Sequence, residues 1–110
     1  MRIIAANAAR RRKPRVAVRL SAIVRGTEAG GKRFEVLGRT LELGGGGVYL
    51  DLPRAVDVPS PVFVAIRFGD AGERGSPAPL LAVRGTALRV DSRVDGGIGV
   101  AVGLKNYRFV

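Results

Sequence analysis

The sequence predicts an all-β domain, a sandwich or a barrel, on three observations. Apolar residues recur with a period of two far more often than three or four, which is the period of a strand with one face against a core. Each alternating run is short and is closed by Gly, Pro, Asp or Ser. Sixteen glycines and six prolines in 110 residues suit a turn-rich chain, because Gly supplies the positive φ that tight turns and bulges require.

The runs follow one another at the spacing of such folds and amount to about six strands. "RVAVRLSAIVRG" sets Val16, Val18 and Leu20 against Ala17, Arg19 and Ser21, and Gly26 closes it. After the turn-like "GTEAGGK" come "RFEVLGRTLEL", "GVYLDL", "PVFVAIRFG", "PLLAVRGTALRV" and "GGIGVAVGL". Asp70 to Pro79, "DAGERGSPAP", is the most polar and breaker-rich interval and reads as a mobile hairpin tip. No stretch offers an amphipathic helix of useful length. The best place for a short one is the tail after Leu104, "KNYRFV", which is too brief to nucleate alone.

Composition narrows the chemistry. A chain of 110 residues, 46% of them hydrophobic, is one domain that can fold alone, burying roughly two thirds of its unfolded surface. The absence of Cys and His removes disulfide frameworks, thiolate and imidazole metal sites, and every Cys or His nucleophile or base. With few clustered carboxylates as well, no nucleophile and base can be named, so the expectation is a binding protein and not an enzyme. No metal or cofactor is expected. The opening "MRIIAANAAR" is interrupted by Asn7 and the arginines before a signal h-region forms, and nothing approaches the ~18 apolar residues of a membrane span. The default compartment is the cytoplasm.

Nineteen Lys and Arg against nine Asp and Glu leave a net charge of +10, a balance that favours phosphate-bearing partners. In "RRRKPRVAVRL", Arg10 to Leu20, four arginines and a lysine crowd into six residues just before a strand. Like charges repel, so the cluster points to an anion that the chain itself does not supply. A second unusual stretch is the run Gly44 to Gly47, with Glu42 two residues before it. As structure, this is a turn that can use left-handed conformations. As a site, bare glycines let a ligand approach the main chain and can aim successive N–H groups at an anion. No Lys-Ser/Thr pair ends the run and no helix follows, so it is neither a P-loop nor a dinucleotide fingerprint.

Together the two stretches resemble the PilZ domain family, small β-barrels that bind the bacterial second messenger cyclic di-GMP. The family's RxxxR falls on "RRKPR", with Arg11 and Arg15 as its ends and Arg12 beside the first. "RVAVR" offers Arg15 and Arg19 at the same spacing, and the earlier pair is preferred because Arg19 reads as part of the strand. The [D/N]xSxxG motif falls on "ELGGGG": Glu42 stands for Asp or Asn, Gly44 for Ser, and Gly47 matches in full. "VDSRVDGGIGVAVGL" is similar to the family's closing strand.

The resemblance implies a six-stranded antiparallel β-barrel over residues 16–110, preceded by a flexible basic segment, residues 1–15, that wraps the ligand. It implies a ligand site made of Arg11, Arg12, Arg15, Glu42, Gly44 and Gly47. A guanidinium can both hydrogen-bond phosphate bidentately and lie on a purine face, which suits a cyclic dinucleotide with two phosphodiesters and two guanines. Glu42 would accept from a guanine N–H edge, while at Gly44 an N–H or a held water replaces the hydroxyl. Ligand binding would then order Arg10 to Arg15 and change the surface offered to a protein partner. Two alternatives stand beside this reading. One is a PilZ-like adaptor without ligand that works by protein contact; the other is a basic β-barrel that binds RNA or single-stranded DNA, for which the aromatic content of 5% gives few stacking platforms.

Overall fold

The computed structural model describes residues 15–69 and 80–109, and the side chains up to residue 105. The expected hairpin tip, Asp70 to Pro79, and Arg11 and Arg12 lie outside the described residues. The described residues form seven strands: β1 (Arg15–Ala17), β2 (Ser21–Thr27), β3 (Arg33–Gly44), β4 (Gly47–Leu52), β5 (Ser60–Arg67), β6 (Leu80–Ser92) and β7 (Ile98–Phe109). All pairings are antiparallel, in the order β3-β2-β5-β6-β7-β4, and β4 pairs back onto β3. This closes a six-stranded barrel. β1 is the extra strand, added to the end of β3.

The period of two read from the sequence is what fills the barrel. Val24 on β2, Leu50 on β4, Val64 and Ile66 on β5, Val83 on β6 and Val100 on β7 are all within 1% of complete burial, and the residues between them face outward. Gly85 lies at a close approach of β6 to β7, where a Cβ would run into the Gly103 carbonyl.

The strand pairing corrects the reading of the first run. The run from Arg15 to Gly26 is two strands, because both pair with the one long β3 and their registers differ by one residue. Ala17 faces Glu42 and Ser21 faces Arg39, where an unbroken strand would have set Ser21 against Gly38. The offset accompanies a bulge in β3, where Thr40 faces Leu50 but Glu42 already faces Tyr49. Arg19 therefore lies in the interruption and belongs to neither strand. The tail after Leu104 is the end of β7, pairing with β6 as far as Phe109 opposite Leu81. A strand already in a ladder extends by backbone pairing, whereas a lone helical turn there would have had to nucleate with no such support.

Buried Thr40 holds the interruption in place. Its hydroxyl donates to the Val18 carbonyl and accepts from the Leu20 N–H at 2.9 Å, and its own N–H donates to the Leu20 carbonyl at 2.8 Å. Val18 N–H donates to the Leu41 carbonyl at 3.3 Å. β1 thus reaches the far end of β3 as a positioned element.

Candidate functional site

The ends of β1 and β3 bring the two sequence motifs together. Arg15 is opposite Gly44 and Ala17 opposite Glu42. Opposed residues of an antiparallel pair share a face, as do positions two apart on one strand. Arg15, Glu42 and position 44 therefore share one face, and Arg15 Nη1 donates to Glu42 Oε1 at 3.4 Å. The side chains are 49% and 46% exposed, so the pair is open to solvent and easily exchanged for another partner.

Gly45 and Gly46 make the turn between β3 and β4, and the Gly46 carbonyl accepts from Leu104 N–H at 3.2 Å. Left-handed φ values are found at Gly31, Gly69 and Gly96 and not in this run, which corrects the expectation for it. The run serves by close approach instead. A Cβ at Gly47 would lie 3.0 Å from the Val102 carbonyl oxygen, so β4 and β7 meet there with little between them.

A cleft of about 410 Å³ opens on this face, and Arg15, Glu42, Gly47, Tyr49, Arg89 and Gly103 are among the residues that line it. Its concavity follows from strand order. Moving across β3, β4, β7 and β6, side chains stand up at Glu42 and again at Leu88 and Arg89, while Gly47, Ala101 and Gly103 between them have little or none and the Tyr49 ring lies to one side over Gly99. Arg15, Glu42 and Gly47 of the expected site line it. Gly44 faces the same side from β3 with no side chain to contribute.

Tyr49 and Arg89 carry no mark in either motif. Ala101 pairs with Tyr49 on one side and with Arg89 on the other, so the two form a cross-strand row. Tyr49 OH donates to Asp91 Oδ2 at 3.0 Å, Arg89 Nε lies 3.0 Å from both Asp91 oxygens, and the Arg89 guanidinium sits 5.9 Å from the Tyr49 ring centre. A side chain at Gly99 would collide with the Tyr49 ring, which is why the ring can lie across β7 to reach β6. The Arg89 hydrogen bond, then that of Tyr49, holds the Asp91 carboxyl below its ordinary range. Burial, then the bond to Asp91, pushes the Tyr49 phenol up. At neutral pH Asp91 is thus an ionised anchor and Tyr49 a protonated donor, an arrangement lost as pH falls through the depressed Asp91 value or rises through the raised Tyr49 value. The available sequence signal was the Arg89-x-Asp91 spacing, which puts both on one strand face beyond the β6 bulge.

Among the described residues no helix is long and apolar enough to cross a membrane. A search of curated proteins returns no match to the chain. The profile of the PilZ domain family matches residues 9–107, which takes in nearly every residue of the barrel and both motif stretches. The chain belongs to the PilZ domain family, whose members are in general cyclic di-GMP-binding adaptor modules.

Proposed function

We propose that this domain is a cyclic di-GMP receptor working in the bacterial cytoplasm, which signals to a protein partner through the surface that changes when the ligand binds. The observation that carries the reading is the meeting of Arg15 and Glu42 at 3.4 Å beside a glycine-floored cleft. A phosphodiester would replace Glu42 on the Arg15 guanidinium and free the carboxylate to accept from a guanine N–H edge. Arg11 and Arg12 would add donors from the preceding segment, and Arg89, braced by Asp91, would offer a guanidinium from the opposite wall. Calorimetric titration with cyclic di-GMP tests the reading; saturable heat of binding is expected, and its absence overturns the receptor role.

The ligand-free adaptor is favoured by one observation, the missing hydroxyl at Gly44. The pair of substitutions Gly44→Ser and Glu42→Asp separates the two. Gly44 is outside the left-handed region and its side chain would face the cleft, so Ser fits the backbone. One neutral hydrogen bond contributes about 0.5–1.5 kcal/mol, which predicts a roughly two- to tenfold gain in affinity at unchanged melting temperature. Binding in neither protein would support the adaptor that works by contact alone.

A further inference from the structure

A second groove, which shares no lining residue with the cleft, runs over the outer face of β2, β5 and β6. It has a volume of about 890 Å³, and its lining includes Arg25, Arg33, Phe63, Arg84 and Lys105. Phe63 faces Arg25 on one side and Arg84 on the other, so an aromatic residue that is 36% exposed is flanked by arginines on both neighbouring strands. Arg25 pairs with Glu35 at 2.7 Å. Among the described residues no carboxylate comes within ion-pair distance of Arg33, Arg84 or Lys105. The next cross-strand row is apolar: Ile23 faces Leu37 and Ala65, and Ala65 faces Ala82. Leu37 is 68% exposed.

We infer that this face docks an acidic segment of a protein partner, one that sets an aromatic or aliphatic anchor against Phe63 and carboxylates against Arg33, Arg84 and Lys105. The inference rests on the adaptor part of the proposed function and is independent of ligand binding. β2, β5 and β6 each have neighbours on both sides, so no backbone edge is free for strand addition and recognition must come from side chains. The charges ask for an anion. The apolar row beside them asks for a partner with apolar surface, and one aromatic ring is a poor platform for successive bases of a polynucleotide. β6 joins the two sites, giving Arg84 to the groove and Arg89 to the cleft across the register shift between Ala87 and Arg89.

The test compares three fluorescent probes on the full chain by anisotropy: poly-glutamate, a copolymer of glutamate and tyrosine of equal length, and oligothymidylate. The copolymer is expected to bind roughly tenfold more tightly than poly-glutamate, the margin of a single anchor residue. Phe63→Ala should erase that margin, and Arg84→Glu with Arg33→Glu should weaken both acidic polymers by at least about tenfold. Cyclic di-GMP affinity and the melting temperature should not move. Equal binding of the two acidic polymers, or binding indifferent to these substitutions, overturns the docking site. Tighter oligothymidylate binding with a steep salt dependence overturns it in favour of a polynucleotide. A parent chain that binds the copolymer as described but not cyclic di-GMP leaves the docking face standing and removes the receptor reading.

Discussion

Arg15→Ala is expected to weaken cyclic di-GMP binding by about ten- to a hundredfold, the equivalent of one charge-assisted hydrogen bond at roughly 1.5–3 kcal/mol. The loss should appear at nearly constant thermal stability. The bond given up in the free protein is the exposed pair with Glu42, and pairs of that kind are worth about 0–1 kcal/mol. For the same reason the ligand meets little resistance in displacing Glu42. Arg89→Ala should give a smaller loss, because Arg89 also stacks on Tyr49 and its removal leaves Asp91 with the Tyr49 hydroxyl. Arg33→Ala, on the other face, is the control. Titrations of the four proteins at two salt concentrations decide the matter. A two-phosphate ligand sheds no condensed counterion atmosphere, so salt should shift all four curves only slightly. Equal losses at Arg15 and Arg33 would mean diffuse attraction to a +10 surface and no defined site.

The barrel was legible in the sequence because burial on one face writes itself as alternation. Val62, Val64 and Ile66 on β5, and Val100 and Val102 on β7, are buried in the phase their runs predict. The split of the first run was not legible, since it depends on where a partner strand bulges. Nothing in "RVAVRLSAIVRG" records that β3 slips near Leu41. The same limit governed the site. Arg15, Glu42 and Gly47 fall in stretches with a local signature, crowded charge or unbroken glycine. Tyr49 and Arg89 are 40 residues apart on strands that are not neighbours, and only the two registers across Ala101 bring them into one row. The basic groove is similar. Arg25, Phe63 and Arg84 come from three strands, and each reads alone as an ordinary outward residue.

Thr40 links that slip to the site, and Thr40→Val is expected to be the most destabilising of the substitutions considered. Valine matches threonine in size, so the completely buried side chain leaves no cavity. What it removes is the hydroxyl that donates to Val18 and accepts from Leu20. Both backbone groups are partly shielded from water in the segment between β1 and β2, and an orphaned buried group costs about 1–3 kcal/mol. The two groups together predict a loss of about 2–6 kcal/mol, which for a domain of this size lowers the melting temperature by roughly 10 °C or more. Thr40→Ser keeps the hydroxyl and loses one methyl, so it should recover most of the stability, at about 1 kcal/mol below the parent. Denaturant melts of the three proteins measure this. Equal losses in Val and Ser would assign the stability to the methyl packing and not to the hydrogen bonds. The two variants should also separate in cyclic di-GMP titrations run where both remain folded. Loosening Val18 to Leu20 frees β1 to leave Glu42 and Gly44, so Thr40→Val should weaken binding through Arg15 without touching the cleft, and Thr40→Ser should bind like the parent. Parent-like affinity in Thr40→Val would show that the three backbone-paired residues of β1 hold Arg15 in place unaided.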